Sequence, residues 1–202
     1  MCWNVEVSFM TGFVTYLICF YIYLRNHGYD RWLGLFMFVV GTMQWIEGLI
    51  WYNLDSPINY YLTVYAIAVA LPLQFITSLY CASLYGKINK YLIPIYQLAS
   101  VLCFAFEVYY NHSSTVIDGE LAWGDQTHTM LGTWFLVVLI LPFVYMKDRL
   151  LAFLTVAMTA GTFVISMNKY PYTWTSNWCL YGNGVSVLAL LYPALRGITT
   201  PY

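Results

Sequence analysis

Seven apolar runs follow one another along the chain, each long enough to cross about 30 Å of hydrocarbon at about 1.5 Å of rise per helical residue. They extend from Trp3 to Leu24, Trp32 to Tyr52, Tyr60 to Tyr85, Tyr91 to Tyr110, Thr129 to Met146, Leu150 to Met167 and Asn177 to Leu195. Unbroken runs of this length predict helices, because a membrane β-barrel is written in segments of about ten residues that alternate in polarity. The chain is therefore read as an all-α integral membrane protein, multi-pass, with residues 1–202 forming one seven-helix domain. Only 8% of its residues are charged, against about 25% in soluble domains. With a net charge of −1 and no basic run, nucleic-acid binding has nothing to rest on.

Charge then orients the runs. Sorted by side, the loops collect Arg25, Arg31, Lys87, Lys90, Lys147, Arg149 and Arg196 on one face and leave Lys169 alone on the other. Cytoplasmic loops carry the excess of Lys and Arg, so the N-terminus is expected outside and the C-terminus in the cytoplasm. The opening MCWNVEVS has neither a basic stretch nor a small-residue cleavage site, so the first run is expected to be retained as a span. Trp3, Trp51, Trp123, Trp174 and Trp178 are expected at the outer boundary, and Tyr23, Tyr85, Tyr91, Tyr145 and Tyr192 at the inner one, where amphipathic rings settle. Asn111-His112-Ser113 is a glycosylation triplet on the expected outer side.

The five cysteines are scattered without a paired-cysteine motif, and the three histidines fall in expected loops, so no metal site is predicted. Cys2 and Cys179 both fall at the expected outer face, where a disulfide and two separate thiols are equally allowed. No nucleophile elbow or phosphate loop appears, and no cofactor or enzymatic activity is expected.

Polar residues in six of the runs keep to one face at 100° per residue. The first run aligns Ser8, Thr11, Thr15 and Cys19, the second Gln44, Glu47 and Trp51, and the third Thr63, Gln74, Thr77, Ser78 and Cys81. The fourth aligns Gln97, Ser100 and Glu107, the sixth Thr155, Thr159, Thr162 and Ser166, and the seventh Cys179, Asn183 and Ser186. Hydroxyl stripes on their own are what close helix packing uses. Carboxylates and amides are different, since a central acid costs about 2.5–3.5 kcal/mol on insertion scales and usually faces a cavity or a partner. No Lys or Arg lies within the runs to pair with Glu47 or Glu107, so each is expected to be solvated, protonated or bound to a cation. Pro72, Pro94, Pro142 and Pro193 interrupt four of the runs and free backbone carbonyls.

The long loop from Asn111 to His128 separates four runs from three. Asp30-Arg31 and Asp148-Arg149 open the second and sixth, and Gly41-Thr42 and Gly161-Thr162 follow within them. A parallel repeat of 3–85 and 129–195 around a linker helix at 91–110 accounts for these matches, and so does convergence on common capping and anchoring residues. At this point the chain resembles the SWEET and PQ-loop superfamily of seven-helix transporters, built as three plus one plus three with the N-terminus outside. The stretch YGNGVSVLALLYPAL is similar to that family's seventh helix, and WIEGLIWYN to its Trp-containing second helix. The resemblance implies that Asn183 lines a solute site. The adjacent Pro-Gln dipeptide is absent, and of the family's gating prolines only Pro142 has a counterpart. The opening MCWN also resembles uncharacterised small membrane proteins of large DNA viruses and protists.

These residues point to a small secondary transporter or facilitator for a polar or cationic solute, with proton coupling open to it. Its route is expected through an acidic outer vestibule lined by Glu47, Glu107, Gln44, Asn183, Gln74, Gln97, Thr162 and Ser166, with Trp45 and Trp51 placed to stack on the solute. A cation or proton channel, gated at a constriction that a homo-oligomer can supply, is the alternative. A structural membrane protein that contacts only lipid and its own helices is the third reading.

Overall fold

The computed structural model describes residues 4–86, 88–89, 91–110, 113–123 and 136–195, with side chains placed at all of them except 99, 103, 104, 106–108, 110, 180, 181 and 195. The described chain is mostly helical. Helix α1 runs Val5–Arg25, and its start is capped by Asn4, whose side-chain oxygen accepts the Val7 N–H at 2.8 Å. It ends at Asn26, left-handed at φ 55°, and a short turn leads into α2, Asp30–Tyr52. Helix α3, Ile58–Tyr65, passes through a π-helical turn at Ala66–Ala70 into α4, Leu71–Tyr85. The cause is Pro72: it has no N–H for the Ala68 carbonyl, and the widened turn lets Leu71 donate to Ala66 instead. Helix α5 is Leu92–Tyr110, with Pro94 in its first turn, where proline is tolerated. Helix α6, Leu136–Tyr145, tightens to a 3-10 turn at Leu141–Tyr145 around Pro142. Helix α7 is Arg149–Lys169, α8 Trp174–Gly182 and α9 Gly184–Leu195.

Among the described residues, four helices are long and apolar enough to cross a membrane by length and composition: α1, α2, the continuous Ile58–Tyr85 and α7. Shorter apolar stretches are Leu92–Leu102, the first part of α5, and α6. The expected span from Asn177 to Leu195 is divided into α8 and α9. Its break falls on Gly182-Asn183-Gly184, three residues that favour a turn over a helix interior, and the Asn183 carbonyl starts α9 by accepting both the Ser186 N–H at 3.0 Å and its hydroxyl at 2.6 Å. The first part of the expected span from Thr129 to Met146 lies outside the described residues, as do Cys2, Trp3 and Asn111.

Polarity is distributed inside out. On α1 the buried face is Ser8, Gly12, Thr15, Cys19 and Ile22, while Met10, Phe13, Leu17, Phe20 and Leu24 are exposed. The surface of α7 likewise presents Phe153, Val164 and Ile165 and buries Thr155, Thr159 and Ser166. A face of large apolar side chains this extensive suits a lipid surround.

The most extensive helix pairing is α1 against α2. The α2 glycines recur in sevens: Gly34 meets Cys19, Ile22 and Tyr23 on α1, Gly41 meets Thr15 and Tyr16, and Gly48 meets the ring of Phe9, while Gly12 on α1 meets Gln44 and Trp45. Small residues at that spacing bring the two backbones close, so part of the stripe read as polar is a packing seam. From there α2 runs through the middle of the bundle, touching α3, α4, α8 and α9 as well.

The loop between α5 and α6 holds structure that was not expected. Thr115–Ile117 (β1) and Glu120–Ala122 (β2) pair antiparallel with Thr115 opposite Ala122. Between them Asp118 and Gly119 both take positive φ, 53° and 78°, as a two-residue hairpin turn requires. The hairpin is stitched to two helices. Ser114 exchanges hydrogen bonds with Asn59 (2.8 and 3.1 Å) and its hydroxyl lies 2.7 Å from that of Thr63. The Glu120 carboxylate accepts Thr173 Oγ1 at 2.6 Å and Asn177 Nδ2 at 2.8 Å.

Of the tryptophans expected at the outer boundary, Trp51 is half-buried and Trp3 lies outside the described residues. Trp123, Trp174 and Trp178 are buried, the last two packed edge-on against Phe163, because indoles close gaps between helices as readily as they sit at an interface. At the hairpin end the exposed rings are tyrosines, Tyr52, Tyr60, Tyr61 and Tyr172 among them.

Candidate functional site

Two cavities bear on function. The first is a chamber of about 20 Å³, space for a water or two, lined by residues of α2, α4, α6, α7, α8 and the start of α9. Met37 and Val40 supply its apolar wall from α2, one turn apart. Gln74 enters from α4, Thr159 from α7, and Cys179 and Gly182 from α8. Gln74 is only 2% exposed, and its Nε2 has no hydrogen-bond partner among the described residues. Thr159 donates to the Thr155 carbonyl at 2.8 Å, and its own carbonyl accepts the Trp178 Nε1–H at 3.1 Å, which fixes α8 against α7. Asn183, next to Gly182 at the helix break, is 8% exposed, and both polar atoms of its side chain lack partners among the described residues. Orphaned buried amides are costly, about 1–3 kcal/mol each, and mark a place where water or a ligand completes the structure.

Glu47 is completely buried, two turns beyond Val40 on the same face of α2 and within electrostatic range of Cys179. Gln44, one turn before it and also fully buried, accepts a hydrogen bond from Thr11 Oγ1 at 3.0 Å. The acid and the amide therefore lie between the α1 seam and the chamber.

The second cavity, about 780 Å³, lies at the opposite end of the bundle from the hairpin. It is bordered by the α1–α2 turn, the start of α7 and the end of α9, with Tyr29, Asp30, Lys147, Asp148, Arg149 and Tyr192 on its walls. Arg25 ties this end together. Its guanidinium meets the Asp30 carboxylate in a two-pronged pair, Nε to Oδ2 at 2.7 Å and a terminal nitrogen to Oδ1 at 2.9 Å. The same group donates to the carbonyls of Leu190 and Ala189, both at 2.7 Å. Ala189 is four residues before Pro193, whose missing N–H leaves that carbonyl open for Arg25. On the other side, Tyr192 donates its hydroxyl to Asp148 at 2.9 Å, and Asp148 caps α7 by accepting the Leu151 N–H at 3.2 Å. The inner half of α9 is thus held to the starts of both α2 and α7.

One helical turn separates the cavities. Leu33 and Ala189 floor the larger one, and Met37 and Val185, four residues away on the same helices, line the chamber. These four residues are buried, and together they make an apolar plug about 5 Å thick.

No match answers this arrangement. Comparison with family models, with curated proteins and with solved structures returns nothing similar to this chain.

Of the residues singled out in the sequence, Gln74 lines the chamber, Asn183 adjoins it and Glu47 lies near it. Ser166 is buried on α7, two turns beyond Thr159, and Thr162 is half-buried, bonded to its own helix at Met158 and Thr159. Trp45 packs on α1, against Gly12 and 5.4 Å from the ring of Phe9, and Trp51 is half-buried at the end of α2. Neither lines the chamber. Gln97 is half-buried on α5, and the side chain of Glu107 lies outside those described. Cys179 is a buried thiol, and Cys2, with which the sequence allows a disulfide or two separate thiols equally, lies outside the described residues. The sequence reading missed the cavity with Tyr29, Asp30, Asp148 and Tyr192, although the two Asp-Arg pairs that mark it were in view as signs of a repeat. Gly41 is packed against Thr15, whereas Gly161, its match in the Gly-Thr comparison, meets nothing within 4 Å.

Proposed function

We propose that this chain is a small membrane carrier or facilitator that passes a polar or cationic solute through the centre of its bundle. In this reading it crosses the bilayer seven times, with the N-terminus outside and the larger cavity on the cytoplasmic side, and its halves follow the three-plus-one-plus-three plan of the family it resembles. The observation that carries the proposal is the pairing of an orphaned, buried Gln74 amide with a small chamber at a helix break. Packing alone gives no reason to bury an amide without a partner beside empty space.

The cycle follows from the geometry. A chamber this small has space for a water or two, so a larger solute enters only when the helices around it part. Two breaks allow that: the π turn at Ala66–Ala70, just before Gln74, and the Gly182–Gly184 junction, which frees α9 to pivot on α8. Moving the inner half of α9 withdraws Val185 and Ala189 from the plug and joins the chamber to the larger cavity. Glu47, near the chamber toward the hairpin end, attracts a cation or supplies the proton for coupling. A cation or proton channel is the second reading, and Glu47 is the observation that favours it.

The test is flux into proteoliposomes, probed with labelled hexoses, amino acids and choline, and with a pH-sensitive dye for protons. Saturable uptake of one probe is expected, reduced at least tenfold by Gln74→Leu, with Glu47→Gln changing the pH dependence of uptake while the protein stays folded. Single-channel currents in place of saturable uptake decide for the channel. Absence of both, in protein shown to be folded, removes the proposal.

A further inference from the structure

The larger cavity has a chemical character that solute passage does not require. Lys147 and Arg149 stand on its wall, and neither forms an ion pair among the described residues, where Arg25 with Asp30 is the one salt bridge. Arg149 spends one nitrogen on the Val144 carbonyl at 3.0 Å and keeps its remaining donors. The acids beside them are already engaged, Asp30 by Arg25 and Asp148 by Tyr192 and the α7 backbone. His27 adds a buried Nδ1 with no partner among the described residues. Two available cations and an imidazole around an open cavity of this size make a receptor for an anion with several acceptor oxygens.

Part of the wall is apolar. Leu150 and Pro193 border the cavity, and Leu150 and then Phe153, one turn along α7, are 47% and 67% exposed on the surface. A free phosphate needs only the polar side of such a site. A phospholipid uses both, its phosphate at the cations and an acyl chain along Leu150 and Phe153.

We propose that this cavity is a binding site for the phosphate of an anionic phospholipid, held by Lys147 and Arg149 at the mouth between α7 and α9. The site does not depend on the carrier proposal. A bound lipid would brace the starts of α7 and α2 from the membrane side, where headgroups meet basic residues between helices.

The experiment uses the full-length chain in nanodiscs of phosphatidylcholine with a minor share of phosphatidylglycerol, and reads co-purified lipid by native mass spectrometry. Selective retention of phosphatidylglycerol is expected, weakened roughly fivefold by Lys147→Gln and by about that factor again in the Lys147→Gln/Arg149→Gln pair, because each interfacial cation is worth about that much. Lys147→Arg should keep the preference. Arg31→Gln, at the same end but over the Tyr23 ring and outside the cavity, should leave it unchanged. Equal retention of the two lipids, or a preference that survives in the double variant, overturns the proposal. Millimolar inorganic phosphate should not displace the lipid; if it does, and also protects the chain from thermal unfolding in detergent without lipid, the lipid assignment is overturned in favour of a soluble phosphate ester.

Discussion

Arg25→Ala is expected to destabilise the protein by about 3–5 kcal/mol, the usual cost of removing one partner from a buried ion pair. The side chains of Arg25 and Asp30 are 15% and 6% exposed, so solvent does little to replace the lost partner. Three acceptors lose the guanidinium at once: the Asp30 carboxylate, which keeps only the His27 N–H at 2.8 Å, the Leu190 carbonyl and the Ala189 carbonyl that Pro193 leaves open. Arg25→Lys should recover less than half of the loss, because a single ammonium cannot hold the two carboxylate oxygens and both carbonyls with the geometry of the guanidinium. In a double-mutant cycle with Asp30→Asn, the pair should be less destabilised than the sum of the single variants, since Asn leaves no charge stranded. Equilibrium unfolding in detergent measures all four proteins. A loss below about 1 kcal/mol for Arg25→Ala would place the pair with ordinary surface salt bridges and remove the latch on α9.

The second large effect is expected at the α1–α2 seam. A Cβ at Gly41 would lie 2.9 Å from Cγ2 of Thr15 and 3.3 Å from the ring of Tyr16, closer than side chains ordinarily pack. Gly41→Ala should therefore cost about 1–3 kcal/mol, as over-packed cores do, in spite of the better helix propensity of alanine. Thr15→Ser removes the methyl group in the way and should restore part of that loss. Gly161→Ala is the matched comparison: nothing lies within 4 Å of its Cβ position, so propensity decides, and a gain of up to about 1 kcal/mol is expected. If both variants shift stability in the same direction by similar amounts, close approach at Gly41 is not what holds α1 to α2.

These two glycines show where sequence reading stops. Each precedes a threonine in a helix, and in the sequence the match reads equally as a trace of a repeat or as convergence. The Gly34, Gly41, Gly48 spacing was legible, and set beside Ser8, Gly12, Thr15 and Cys19 it is the pattern of two helices packed on small residues. The hairpin was legible too, in Thr-Val-Ile-Asp-Gly-Glu-Leu, where Asp-Gly between β-branched residues is a strong turn signal. It was passed over because it lies in a stretch defined only by its lack of hydrophobicity. The break at Asn183 was written in its flanking glycines, but an apolar run of the right length masked it.

By itself the sequence determined that the chain forms apolar helices, with approximate limits for most of them, and that polar groups would be kept on their inner faces, because hydrocarbon length and helical period are local properties that need no partner. Tertiary structure alone decided which polar face serves packing and which meets a cavity. Thr11 and Gln44, thirty-three residues apart, bond to each other, Gln74 is left facing a chamber, and Arg25 reaches the carbonyl that Pro193 releases. Those outcomes depend on which helices become neighbours and at what separation, and one chain's periodicity carries no record of either.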